Sequence, residues 1–409
     1  MRRLFRKLKE MGKLVNIFLL IVATFVYAMF QGGFVSWFLF YSFIPFGLYS
    51  FVLTIYPIKD FKLERHIRKG EYVAGEEFEA TILIRRKIPF PLMYLIIEEL
   101  LPPQLKKYEE SKQSKVILFP WFKRELTYKY KFSSVPRGEH LLEGIRIKTG
   151  DLFGLIEKEA NMPVRDQFLV YPQYVDMLYR QQESRFEQGM TSSNVRLQRD
   201  TAIAIGVREY IPGDRFSWID WKASARRNGI MTKEFEQQQS HDVVLFMDRS
   251  ESAHFEQIVS FTASLTKAIL RKGAQVSFIS IGEDQAIFPL KSGESQQQAI
   301  YHHLAKVKDN SPLSFSQIVE SEIKKNYQPV TFMVVTSELS QDTIHLVGRF
   351  SMRNADLQLF VVKERGIQLT QAEFGVLEAI RKHHVFTKVV YEGHFTEVFN
   401  SIQQNSKLQ

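Results

Sequence analysis

Residues 243–252 read Val-Val-Leu-Phe-Met-Asp-Arg-Ser-Glu-Ser. The first five form an unbroken apolar run, the mark of a strand buried on both faces. The rest place one carboxylate and two hydroxyls, Asp248, Ser250 and Ser252, at alternate positions just before a helical pattern. That pattern, over 253–272, carries apolar residues at Phe255, Ile258, Val259, Ala263, Leu265 and Ile269 and closes at Gly273. Further strands are predicted at 276–281, 330–336, 356–362 and 386–391, and helices at 296–307 and 371–383. Strands alternating with helices make a doubly wound, mostly parallel sheet, so 241–409 reads as an α/β domain.

In such sheets ligands collect at the carboxyl ends of strands. Asp248, Ser250 and Ser252 stand there as hard oxygen donors that suit Mg²⁺ or Mn²⁺. The competing reading makes Asp248 and Ser252 mere caps on the helix that follows.

Upstream, 176–240 is a polar linker rich in Gln, Arg and Ser that ends in a dense segment, Arg208-Glu209-Tyr210-Ile211-Pro212-Gly213-Asp214-Arg215-Phe216-Ser217-Trp218-Ile219-Asp220-Trp221-Lys222-Ala223-Ser224-Ala225-Arg226-Arg227. Pro-Gly-Asp predicts a turn, with Asp214 capping a helix over 216–227. Trp and Arg dominate protein-interface hot spots. We therefore expect Arg208, Tyr210, Asp214, Trp218, Asp220, Trp221, Lys222 and Arg226 to bind a partner. The alternative is a buried network in which Asp220, Trp221 and Arg226 pin the segment to the next domain.

Residues 70–175 alternate with period two, as in Phe78-Glu79-Ala80-Thr81-Ile82-Leu83-Ile84-Arg85. Turn signals such as Pro102-Pro103 and Thr149-Gly150-Asp151 divide the runs, which predicts an antiparallel β-sandwich without a catalytic cluster.

The N-terminus is different again. Residues 14–30 and 34–56 carry no charge and are separated by Gln31-Gly32-Gly33. A spanning helix needs roughly 20 apolar residues, so two transmembrane helices joined by a tight turn are expected, the first barely long enough. Six Lys/Arg lie in the basic segment 1–13 and five in 57–70. Basic residues stay on the cytoplasmic side, which predicts a two-span cell-membrane protein with both termini cytoplasmic. A cleaved signal peptide fits less well, because a second apolar run follows at once.

The chain of 409 residues has a net charge of +9, but the basic flanks of the apolar stretch supply +8 of it, so nucleic acid is a poor partner. It contains no Cys, which excludes disulfides and thiolate chemistry. There is no Gly-x-x-x-x-Gly-Lys-Ser/Thr loop for ATP, and the pairs His302-His303 and His383-His384 point apart and cannot chelate.

Several stretches together resemble the bacterial domain-of-unknown-function 58 family. They are Pro136-Arg137-Gly138, Thr149-Gly150-Asp151-Leu152-Phe153-Gly154-Leu155, Val170-Tyr171-Pro172 and, most specifically, Arg208-Glu209-Tyr210 with Gly213-Asp214, Ile219-Asp220-Trp221-Lys222 and Ala225-Arg226. The resemblance implies that the last domain is similar to a von Willebrand factor A domain. In such domains an Asp-x-Ser-x-Ser motif, a second-loop Thr and a third-loop Asp hold a divalent ion. Asp248, Ser250 and Ser252 match the first motif. The third loop reads Thr336-Ser337-Glu338, so Glu338 is the nearby carboxylate in place of the usual Asp, and Ser311, Ser314 and Ser316 are the second-loop candidates. A site so depleted of charge is expected to bind Mg²⁺ or Mn²⁺ weakly. The resemblance also implies company with MoxR-type AAA+ ATPases and other membrane proteins.

The expectation is thus a non-enzymatic, membrane-anchored cytoplasmic adaptor whose von Willebrand factor A-like domain presents a protein-binding face to a MoxR-type AAA+ ATPase or to membrane partners. The runner-up is a metal-dependent hydrolase or transferase using Asp248, Ser250 and Ser252.

Overall fold

The structure is a computed structural model that describes residues 2–108, 114–180, 204–211, 214, 216–235, 242–312, 315–323, 330–352, 356–383 and 385–399. It divides into two compact units, Met1–Gln173 with Leu304–Val307, and Tyr174–His303 with Lys308–Gln409.

The first unit opens with helices α1 (Arg2–Gln31) and α2 (Phe34–Ile55). Among the described residues α2 is the one helix long and apolar enough to cross a membrane. The apolar part of α1, Phe18–Gln31, is shorter than a span. The two helices pack closely: Phe25 lies 5.6 Å from Phe40, and a side chain at Gly47 would meet Ile21 at 3.0 Å. Small residues permit such close helix approach.

Strands β1 (Lys62–Ile67), β2 (Glu71–Val73), β3 (Phe78–Arg85) and β4 (Leu95–Glu99) follow, then the short helix α3 (Pro103–Lys106). Next come β5 (Lys115–Leu118), β6 (Glu125–Phe132), β7 (Gly138–Leu142), β8 (Ile145–Gly150), β9 (Glu157–Met162) and β10 (Asp166–Tyr171). They form three sheets, in the orders β1-β3-β6, β2-β10-β7 and β5-β4-β8-β9. Along β3 every second residue is buried, as its period-two sequence requires. One pairing departs from the antiparallel expectation: β2 and β10 run parallel.

The three sheets share one apolar core that also takes in Leu53, Tyr56 and Ile58 from the end of α2 onward. Lys158 on β9 donates to the carbonyl oxygens of Leu53, Thr54 and Tyr56 at 3.3, 2.7 and 2.6 Å. A cation there satisfies the orphan carbonyls and meets the negative end of the helix dipole. Inside this core lies a charge cluster. Arg65 donates to both oxygens of Glu99 (2.6 and 3.2 Å) and to Asp166 (2.7 Å), and the Tyr130 hydroxyl donates to Glu99. Burial pushes the Glu99 carboxyl up, while Arg65 and Tyr130 pull it back.

The second unit begins with a small module, strands β11 (Ala204–Glu209) and β12 (Met231–Phe235) around helix α4 (Trp221–Arg227). It continues through β13 (Val243–Met247), α5 (Phe255–Arg271), β14 (Val276–Ile281), β15 (Gln285–Lys291), α6 (Glu294–Lys306) and α7 (Phe315–Ile323). It ends with β16 (Thr331–Thr336), α8 (Gln341–Met352), β17 (Leu357–Lys363), α9 (Gln371–Arg381) and β18 (Phe386–Tyr391). The sheet order is β15-β14-β13-β16-β17-β18, parallel except for β15. Every residue of β13, β14, β16 and β17 is buried, as expected for strands covered on both faces.

Residues 174–180, most of which open the expected polar linker, pack on α5. The Val175 amide donates to Ser264 Oγ (2.9 Å), and Lys267 pairs with Asp176 (2.8 Å). The rest of that segment, 181–203, lies outside the described residues.

Candidate functional site

The chain leaves β13 for β14 on one side and later returns to place β16 on the other. The carboxyl ends of β13 and β16 therefore bound the crevice where connections diverge, the usual ligand position in such sheets. Asp248 follows β13 directly, and Thr336 is the last residue of β16. Asp248 Oδ1 accepts from the amide and hydroxyl of Ser250 at 2.9 and 2.7 Å. Its Oδ2 accepts from Thr336 Oγ1 at 2.7 Å. Beside it, Ser252 Oγ and Ser337 Oγ lie 2.8 Å apart. Asp248, Thr336 and Ser337 are buried, whereas Ser250 and Ser252 are half-buried and mark the open side.

The capping alternative for Asp248 and Ser252 does not hold. Helix α5 starts at Phe255 with His254 as its cap residue and no side-chain cap bond. Ser252 accepts from the His254 amide, outside the helix, and Asp248 is engaged by Ser250 and Thr336. Glu338 joins the cup through its main chain: its amide donates to Thr336 Oγ1 at 3.2 Å, and its side chain is exposed. Of the second-loop candidates, the Ser311 amide donates to the Arg249 carbonyl at 3.1 Å, Ser316 lies on α7, and Ser314 is outside the described residues. The donor set is one carboxylate and four hydroxyls, all hard oxygen, which fits Mg²⁺ or Mn²⁺ in kind but supplies a single formal charge. Among the described residues no three His, Cys, Asp or Glu gather in a metal-holding group.

Arg249 is the residue that sequence reasoning missed. Though charged, it is 2% exposed. It donates to the Lys308 carbonyl (2.9 Å) and Asn310 Oδ1 (2.6 Å) and pairs with Asp284 (2.7 Å). That hydrogen bond holds the Asp284 carboxyl below its usual range. Its guanidinium lies so close over Gly282 that a side chain there would collide with it. One side chain thus fixes the turn after β14 and the 308–310 loop around the Asp248 cup. Only a charged residue next to a buried strand end hinted at this.

The module around α4 also differs from expectation. Asp220, not Asp214, caps the helix, accepting from the Ala223 amide at 3.0 Å. The helix covers seven residues and stops at Asn228, whose φ of +54° is the left-handed end a short polar side chain tolerates. Asp214 instead takes a bidentate pair from Arg208 at 2.7 and 2.8 Å, and Arg208 holds its carboxyl below the usual range. Pro212 and Gly213 of the expected turn, and Arg215, lie outside the described residues.

The buried Asp220–Trp221–Arg226 network is not formed. Trp221 is 70% exposed, and Lys222 and Arg226 are exposed beside it. Ile219 and Met231 are buried beneath, and Trp218 is half-buried. The module shows solvent an apolar set made of Ile211, Phe216, Trp221 and Ile230, with Tyr210 stacked on Phe216 at 6.4 Å.

Residues 206–385 match the family model described as protein of unknown function DUF58. A Bacillus subtilis (strain 168) protein, uncharacterized protein YeaD, is 39% identical over 388 residues, covering 94% of this chain and 97% of that one. Two solved structures align weakly. The bacterial hydrophobin BslA covers 25% of the chain (12% identity, TM-score 0.17), and the Bacillus subtilis sporulation control protein Spo0M covers 28% (16% identity, TM-score 0.16). At that level of superposition neither bears on fold or function. With a relative matched along nearly the whole of both sequences, the chain belongs to the DUF58 family.

Proposed function

We propose that the protein is a membrane-anchored adaptor whose α4 module docks a cytoplasmic partner protein. The observation that carries this reading is the outward display of Trp221 and Phe216 beside Lys222 and Arg226 on a module whose own fold is already satisfied by Asp220, Ser224 and the Arg208–Asp214 pair. Exposed aromatics rimmed by cations are what interface hot spots are made of. The partner this suits best is a MoxR-type AAA+ ATPase, the association that the family resemblance implies.

In this proposal α1 and α2 form a two-span hairpin with both termini cytoplasmic, supported by the basic residues on either side. The second unit acts as a von Willebrand factor A-like domain, supported by the cup at its switch point. Asp248, Ser250 and Ser252, with Thr336 and Ser337, would hold a weakly bound Mg²⁺ or Mn²⁺, and a carboxylate of the partner would complete the shell. The rival reading, a metal-dependent hydrolase or transferase, requires a base beside Asp248; the groups hydrogen-bonded to it are the Ser250 amide and the Ser250 and Thr336 hydroxyls.

Two experiments test the proposal. A reporter active only in the cytoplasm, fused after Gln409, should be active, and protease added to intact cells should leave the soluble part uncut. Capture of the MoxR-type ATPase by the full chain should weaken with a chelator and with Asp248→Ala. Cleavage from outside, or capture indifferent to both treatments, would overturn the corresponding part.

A further inference from the structure

We propose that the first β-domain does not hang free below the bilayer: three of its loops enter the cytoplasmic leaflet around α2, 86–93 and 119–124 at headgroup level and 151–156 deeper, where Phe153 meets Phe46. The inference rests on reading α2 as a membrane span.

Helix α2 has 22 residues, about 33 Å at 1.5 Å each, against a hydrocarbon layer of roughly 30 Å, so nearly all of it is needed to cross. Yet β-domain loops flank its second half. Phe153 packs edge-on against Phe46 at 5.1 Å, and Asp151 Oδ2 accepts from Ser50 at 2.7 Å. From the other loop, the Pro91 carbonyl accepts from the Tyr49 hydroxyl (3.1 Å), Phe90 stacks on Tyr49 (5.4 Å), and the Ile88 carbonyl accepts from Tyr56. Phe46 is nine residues before the helix end, so the Phe153 loop climbs about 14 Å up the span. Segments at that height lie within membrane depth.

Their composition suits the place. Leu152 and Phe153 are more than 60% exposed, as are Phe119 and Phe122, and Trp121 is 57% exposed. Lys123 and Arg124 follow directly, and Lys87 stands in the neighbouring loop. Aromatic rings at the interface, with cations toward anionic headgroups, are the pattern of membrane anchoring.

The loop is also built to hold this display. Trp121 has φ of +47°, a left-handed conformation strained for a bulky residue. Buried Arg86 clamps it by donating to the carbonyls of Trp121, Lys123 and Phe90. A solvent-facing loop has no need to force a tryptophan outward.

The test uses the full chain in phosphatidylcholine–phosphatidylglycerol vesicles whose acyl chains carry bromine, a quencher of tryptophan fluorescence. The triple variant Trp37→Phe, Trp218→Phe, Trp221→Phe leaves Trp121 as the sole reporter. Trp121→Phe, Trp218→Phe, Trp221→Phe leaves Trp37 within α2. We expect Trp121 to be quenched by bromine placed near the headgroups more than by bromine at the bilayer centre. Quenching of Trp37 without quenching of Trp121 overturns the proposal and leaves the span standing; quenching of neither removes both.

A second readout does not need those variants to behave. The chain has no Cys, so Phe122→Cys and Phe153→Cys give single thiols. In vesicles they should react with a water-soluble maleimide roughly tenfold more slowly than Glu77→Cys on the exposed rim, since the reactive thiolate forms in water. Equal rates overturn the proposal.

Discussion

The Thr336 hydroxyl donates to Asp248 Oδ2 at 2.7 Å, joining the ends of two adjacent parallel strands 88 residues apart in sequence. Both residues are buried, so this one bond closes the floor of the cup at the switch point. Thr336→Val keeps the shape and leaves a carboxylate oxygen short of its donor. An unsatisfied buried acceptor costs about 1–3 kcal/mol. The denaturation midpoint of the second unit should fall accordingly, and an unchanged midpoint would mean that water already serves that oxygen.

Magnesium should add little to that stability. Ligand stabilisation follows RT ln(1 + [L]/Kd) and vanishes when Kd is large. A cup with one carboxylate should therefore show almost no rise in melting temperature at millimolar Mg²⁺. A rise of several degrees would mean a stronger site than Asp248 and its hydroxyls can build.

In the first unit, the Arg65–Glu99 pair has no exposed side-chain surface. Removing one partner of a buried ion pair strands the other, at a cost of about 3–5 kcal/mol. Arg65→Met should cost that much by chemical denaturation. Arg65→Met with Glu99→Leu should recover much of the loss, because the orphaned carboxylate is gone.

His140 supplies a pH dependence. Burial lowers its pKa, against the opposing pull of the Nε2 hydrogen bond to the Pro136 carbonyl (2.8 Å), while its Nδ1 is buried without a hydrogen-bond partner. The unfolded chain therefore takes the proton first as pH falls. The His140 contribution is complete above about 6.5, the ordinary histidine value, and is lost as pH drops toward the lower folded value. Between about pH 7 and 5 the wild type should lose more stability than His140→Phe, which keeps a ring against Phe168. Parallel stability curves would contradict this assignment.

Much of this architecture is legible in one dimension because periodicity is local. Phe78–Arg85, Glu125–Phe132, Val276–Ile281 and Phe386–Tyr391 form strands where their patterns place them. The strand Gln285–Lys291 escaped notice because it is an edge: its residues alternate between exposed and half-buried, and it tolerates Pro289. The helices Phe315–Ile323 and Gln341–Met352 were not read from the sequence: the first is only nine residues long, and the second carries Gly348 in its interior, a residue that weakens a helical pattern.

The site was legible only in part, since its logic is long-range. The Asp248, Ser250 and Ser252 spacing points to a strand-end cup, but the Thr336 and Ser337 hydroxyls that complete it arrive from another strand. Arg249 meets partners 35 to 61 residues away. Likewise, two aspartates near one helix offer two possible caps, and Arg208 decides the matter by engaging Asp214 and leaving the capping to Asp220.

The adaptor reading stands or falls on the exposed α4 module. Its most direct test is a titration of the purified full chain, in nanodiscs, with the MoxR-type ATPase of the same organism, comparing wild type with Trp221→Ser and Phe216→Ser. Both residues are exposed, so neither change should lower the melting temperature noticeably. A hot-spot aromatic is worth about 2 kcal/mol or more, so each variant should weaken binding at least tenfold. Binding by the wild type that is untouched by either substitution, or no binding at all, would contradict the account.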